Sequence, residues 1–293
     1  MFKKLIFIFF SLVLSFNVFA LPTEVIVTTA NPQGWMIQNN RADSSVNITA
    51  SRPRSGNGSL EFVTNFVTPG QDKVDYELAW DPMVFPNRTL NNLSDLSYEY
   101  YRDSAGSTVA GQFHPVLRLG WYNDAGTPLN TVDDTYGQLV YEKIYQGVNP
   151  VPVDTWDINI INLNTHNFWM YCSVCTGGAS GAVQNFGSTL QNWKTGPIVG
   201  IGADPVPPDL SQGTTYLFSV NTGIGSGWGA DVLMSVDNIR LGFGVNDDFI
   251  YNFEIPSQPA AVPLFNQSGL IAMIFSLFLI TVIFQRKTKV NID

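Results

Sequence analysis

The sequence predicts an all-β protein, a jelly-roll-like β-sandwich ectodomain set between an N-terminal signal peptide and a C-terminal transmembrane helix. Three observations carry this expectation. Between the two ends no stretch repeats its apolar residues at a helical period, and short alternating or β-branched runs recur instead. Turn-forming residues separate those runs: Ser55-Gly56-Asn57-Gly58, Asn123-Asp124-Ala125-Gly126, Gly177-Gly178 and Gly223 to Gly229. Long apolar segments occur only at the two ends.

At the start, Lys3 and Lys4 precede the apolar run Leu5 to Phe16, and Val18-Phe19-Ala20 puts small residues at −3 and −1 of a cut after Ala20. That order of charge, apolar run and small residues defines a secretory signal over residues 1–20. The body follows over 21–254 as one β-sandwich domain. Pro256, Pro259 and Pro263 mark a linker over 255–268. An apolar helix is predicted over 269–285, and Arg286, Lys287 and Lys289 give a basic tail over 286–293. Basic residues after the helix keep that end cytoplasmic, so the body is expected outside the membrane.

Composition bounds what the body binds. Leu21 to Ala261 carries ten Lys or Arg against twenty-three Asp or Glu, a formal net charge of −13. A body this acidic repels phosphate backbones, which excludes nucleic acid as a partner.

The strands read in order as Glu24–Thr28, Ser59–Phe66, Leu96–Tyr101, Pro115–Trp121, Gln138–Tyr145, Trp156–Ile161, Thr214–Val220 and Leu233–Phe243. Short strands at such spacing read as two packed sheets. Leu90 to Leu96 and Thr189 to Lys194 are candidate helical turns.

Catalytic patterns are weak. The aspartates Asp133-Asp134 and Asp247-Asp248 are sequence neighbours, and neighbours on a strand face opposite ways. They are therefore poor candidates for a pair across a sugar bond. Gly223 to Gly227 lacks the arrangement of a serine nucleophile. Cys172 and Cys175 have redox-motif spacing, but Gly177-Gly178 after them makes a poor helix. In an exported chain with two cysteines a local disulfide is expected. A zinc set of these cysteines with His166 is a lesser alternative, and both His166 and His114 are expected as polar groups on a strand or its rim.

Aromatic residues are the informative surplus. All seven tryptophans lie in the body. Aromatic faces stack on the apolar faces of sugars while polar groups catch the hydroxyls. The candidate ligand-binding residues are Trp228, on a glycine-rich loop, and Trp169, beside the cysteines.

Two resemblances sharpen these expectations. Gly34-Trp35, Ser55-Gly56-Asn57-Gly58-Ser59-Leu60-Glu61-Phe62 and the closing Ser235-Val236-Asp237-Asn238-Ile239-Arg240-Leu241 resemble the jelly-roll carbohydrate-binding modules with a galactose-binding-like fold. That resemblance implies a core role for Trp35, glycan as ligand and a structural calcium held in part by Asp237. No other cofactor is expected. The tail is similar to PEP-CTERM-type sorting signals, with Val262-Pro263 at the motif. This implies membrane insertion followed by cleavage by a sorting protease or transpeptidase and transfer to the surface. The sequence thus predicts an exported, non-catalytic protein binding polysaccharide or extracellular matrix. A structural or adhesive role is the alternative, and a glycan-active enzyme the third.

Overall fold

The computed structural model describes residues 21–256 apart from 128–130, 203, 226 and 245. The predicted signal peptide with its cut after Ala20, the motif Val262-Pro263, the helix at 269–285 and the basic tail lie outside the described residues. Among the described residues no helix is long and apolar enough to cross a membrane.

Among the described residues fourteen strands run in order: β1 (Thr23–Val27), β2 (Trp35–Gln38), β3 (Ser44–Thr49), β4 (Ser59–Thr64), β5 (Val74–Ala79), β6 (Asp95–Arg102), β7 (Val116–Asn123), β8 (Thr135–Tyr141), β9 (Trp156–Ile160), β10 (Trp169–Val174), β11 (Gly181–Val183), β12 (Thr215–Ile224), β13 (Val232–Gly242) and β14 (Asp248–Phe253). The short helix α1 (Leu190–Thr195) is closed at its start by a capping box between Thr189 and Asn192. The candidate helical turn at 90–96 is a single turn only. Leu93 N–H bonds back to the Thr89 carbonyl, and the alternating Leu96, Tyr98, Tyr100 side chains are then drawn into the core as β6.

The strands form two seven-stranded sheets. In the first, β13 is long enough to pair with β6 along one side and, along the other, with β4 by its first half and β14 by its second. The second has the order β11-β10-β8-β7-β12-β5-β2. The inner faces meet in a core that holds Phe62, Tyr98, Tyr100, Trp121, Tyr141 and Trp193. Trp35, freed by the left-handed backbone of Gly34, stacks on Tyr76 of the second sheet and meets Tyr251 and Phe253 of the first edge-on. His114 is not on a rim. It is buried, ring-stacked on Tyr100 with Nε2 accepting from the Lys143 amide, and burial holds its pKa down at about 4.

The fork where β13 leaves β4 for β14 exposes backbone groups that neither neighbour pairs. Asp237 fills it. Its Oδ1 accepts from the amides of Asn238 at 2.8 Å and Phe253 at 2.9 Å, and its Oδ2 from Ser55 at 3.3 Å. Glu254 reinforces the same loop by accepting from the Asn57 amide at 2.6 Å. Gly56 sits there at φ +128°, a conformation that side-chain-bearing residues rarely adopt, and packs against the Glu254 carboxylate. These residues do not fit the calcium expected at Asp237. Calcium takes several oxygen ligands, whereas both oxygens of Asp237 are turned to amide hydrogens. Among the described residues no group of three or more His, Cys, Asp or Glu is placed to hold a metal.

Burial pushes the Asp237 carboxyl up to about 7, opposed by the three amide bonds. A folded pKa above the unfolded value gives stability that is present at low pH and lost as pH rises toward the folded pKa. Melting temperature is therefore expected to fall between about pH 4 and 7, with Asp237 contributing up to about 1.4 kcal/mol per pH unit. Asp237→Asn should flatten that fall, and calcium or a chelator should leave the wild-type melting temperature unchanged.

Candidate functional site

Strand alternation gives the second sheet two unlike faces. On β7, Leu117, Leu119 and Trp121 point into the core, while Val116, Arg118 and Tyr122 face out. On β10, Met170 and Cys172 point in, leaving Trp169, Tyr171 and Ser173 outside. Register then sets the rows of the outer face. Arg118 stands opposite Asn221 on one side and Val140 on the other, and Val140 stands opposite Trp169. In the next row Gly120 faces Ser219 and Gln138, and Gln138 faces Tyr171. In the row on the other side Gly223 lies between Val116 and Asp75.

These rows floor an open groove of about 600 Å³ whose lining includes Asn39, Arg41, Lys73, Arg118, Gln138, Glu142, Trp169, Tyr171 and Trp228. Both tryptophans singled out in the sequence therefore lie on the same groove. Trp169 is half-buried and held in place. Its Nε1 donates to Glu142 at 3.2 Å and its ring meets Phe186 edge-on, with Phe186 in turn stacked on Tyr145. Tyr171, which sequence reasoning missed, is 43% exposed. The signal for it was the alternation Trp-Met-Tyr-Cys-Ser, hidden by the cysteines.

Trp228 differs from expectation. Its loop is pinned rather than loose: the buried Asp72 carboxylate accepts from the Gly229 amide at 3.0 Å and the Gly227 amide at 3.4 Å. Gly225 sits at φ +112°, and a Cβ there would lie 2.2 Å from the Asp72 carbonyl oxygen. The indole stacks on Phe113 at 4.8 Å and is half-buried, so one face is already used. Cys172 and Cys175 are joined in a disulfide beneath the groove wall. Both sulfurs are thereby withdrawn from any metal, and His166 packs against Tyr141 instead.

The floor is a charged network that sequence reasoning did not find. Asp75, only 1% exposed, accepts from Arg118 Nη1 at 2.8 Å and from Asn39 Nδ2 at 2.7 Å, with Lys73 Nζ at 3.2 Å. Arg118 also donates to Asn221 at 3.0 Å. Burial, then the nearby Arg118, hold the Lys73 ammonium below its usual range. Burial pushes the Glu142 carboxyl up, against the pull of Arg118 and the Trp169 hydrogen bond. Asp75 and Glu142 do not form the free carboxylate pair that glycoside cleavage uses, because Asp75 is saturated by its three donors.

The chain matches no protein family and no curated protein. Among solved structures it is similar in fold to one described for the promiscuous specificity of carbohydrate-binding modules of the β-sandwich superfamily, with 11% identity, TM-score 0.32, and 71% of this chain and 57% of that one covered. It is similar also to the cellulose-induced protein Cip1, at 11% identity and TM-score 0.36, over 72% of this chain and 92% of that one. An exo-β-agarase is a third, at 11% identity and TM-score 0.33, over 72% of this chain and 23% of the agarase. The chain thus spans little more than half of the first of these and about a quarter of the last.

Removing Asp75 strands two cations in a buried floor. Asp75→Ala is expected to lose about 3–5 kcal/mol of stability, as for other broken buried pairs. Lys73→Ala removes the more exposed partner and should lose no more than about 1 kcal/mol. Urea denaturation of the two variants measures both.

Proposed function

We propose that the outer face of the second sheet binds a polysaccharide, laid along the groove. The observation that carries this is the pairing of Trp169 and Tyr171, two residues apart on the outer side of β10, above a floor of Arg118, Gln138 and Asn39. Rings spaced by two strand residues stand about 7 Å apart along the strand, the scale of one sugar ring, and the floor supplies donors and acceptors to hydroxyls. Beyond Tyr171 the aromatic surface continues through exposed Tyr136 to Tyr122, which stands opposite Tyr136 and packs against Tyr216 at 6.3 Å. A surface of that length suits a chain of several sugars rather than a single one.

The rest of this reading comes from the sequence. The protein is exported through its signal peptide, held at the membrane by the predicted C-terminal helix, and passed by a sorting protease or transpeptidase to the cell surface. There it acts without catalysis, through contact with polysaccharide or extracellular matrix.

Affinity electrophoresis of the full chain through gels containing soluble polysaccharides tests the site. Trp169→Ala and Tyr171→Ala should each weaken retention about tenfold, the equivalent of 1.4 kcal/mol of stacking, with little change in melting temperature for exposed Tyr171 and a fall for Trp169, which also loses its contacts with Glu142 and Phe186. Trp228→Ala should lower both retention and melting temperature, because its second face packs on Phe113. Retention unchanged in all three variants would remove the groove as the site.

A further inference from the structure

We infer that the polymer this groove takes is acidic, a glycan carrying carboxylates along its chain, held by cations gathered locally on a body whose net charge repels polyanions elsewhere. The inference rests on the glycan-binding reading and concerns the class of glycan. The region from Leu21 to Ala261 has only ten Lys or Arg, yet Arg41, Lys73 and Arg118 all line this groove. Their acidic counterparts there are Glu142, on the wall, and Asp75, in the floor. Glu77, next on the same face, stands beyond Asn221 from Arg118.

The balance within the network is uneven. One buried carboxylate, Asp75, faces two cations and already accepts from three donors. Both hydrogen bonds of Arg118 leave from Nη1, and among the described residues its Nε and Nη2 have no hydrogen-bond partner. Lys73 keeps 20% of its side chain exposed, beside the Arg118 guanidinium on the same carboxylate. The first sheet shows the opposite arrangement: Arg52 meets both Glu61 and Asp103, and Arg240 meets both Asp95 and Asp248. There a single cation meets two acids, whereas in the groove floor a single acid, Asp75, meets two cations. Hydroxyl groups need no such surplus, since Asn39 and Gln138 already serve them. A carboxylate matches the unused edge of a guanidinium in two parallel hydrogen bonds, with an ammonium beside it.

The full chain is titrated by calorimetry and affinity gels with polygalacturonate, the same polymer methyl-esterified, a sulfated galactan and a neutral β-glucan. Polygalacturonate is expected to bind at least about tenfold more tightly than its ester, with an affinity that falls as salt screens the charges. Lys73→Gln and Arg41→Gln should each weaken the polyuronate about fivefold, by loss of one partly exposed charge contact, and weaken the ester less, so that the ratio of acid to ester affinity falls. Melting temperatures confirm that both variants fold, and either one alone suffices for the test. Equal affinity for acid and ester, or unaltered binding in the folded variants, overturns the inference while leaving the glycan reading in place. Preference for the sulfated polymer overturns the carboxylate assignment. Failure of every polymer to bind takes down the glycan reading itself.

Discussion

The outer face of the second sheet is organised around a carboxylate that water barely reaches. Asp75 lies between Val74 and Tyr76, which alternation commits to the core, so its side chain has to lie on the outer face. The strand beside it offers Gly223, where a Cβ would come within 2.2 Å of Asp75 Oδ1, and the missing side chain lets the carboxylate lie flat on the sheet. Desolvating that charge costs several kcal/mol unless it is paired and hydrogen-bonded. Arg118, Lys73 and Asn39, from three different segments, supply the pairing. The burial of one acid thereby fixes the positions of the groups that floor the groove.

Asp237 shows what a buried carboxylate does with the other kind of partner. Its acceptors are filled by the amides of Ser55, Asn238 and Phe253, neutral groups that are themselves in need of acceptors at the fork of β13. The result closes the first sheet and presents nothing to solvent. Asp75 is filled mainly by cations, and a cation with five donors is not exhausted by one carboxylate. The same residue type therefore acts as a clasp on one sheet and as the anchor of a reactive surface on the other.

How much of this was legible follows from the range of the interactions. The eight strands read from the sequence all exist, because each carries its own alternation and its own bounding turns. The six that were missed have identifiable causes. β2 and β11 are only four and three residues long, and β3, Ser-Ser-Val-Asn-Ile-Thr, reads as polar loop. β5 and β14 carry acids where solvent would be expected, and β10 is masked by its cysteines. At the site, aromatic surplus pointed to Trp169 and Trp228, since single residues are local facts. Arg118 and Asp75 are 43 residues apart and meet only because β12 pairs with both β7 and β5. No spacing in the sequence announces that register.

The groove is also stiff, and stiffness bears on how it would bind. Trp169 is fixed by Glu142 and by the Phe186–Tyr145 stack, and Trp228 by Phe113 and the Asp72-bound loop. Arg118 is fixed by Asp75 and Asn221. Side chains ordered before binding lose little conformational entropy on contact, which otherwise amounts to about 0.5–1.5 kcal/mol for each one immobilised. A flexible polymer still has to surrender its own freedom, and no single ring in an open groove encloses a sugar enough to offset that alone. Under the proposed polysaccharide reading, the physical consequence is a site whose affinity accumulates over rows of the sheet. The Trp169 row, the Tyr171 row and the Tyr136–Tyr122 row each contribute a modest contact, and linking them along one chain raises the effective concentration of each for the next. A surface built in that way rewards length in its ligand, and a rigid sheet, rather than mobile loops, is the element that can hold the rows in line.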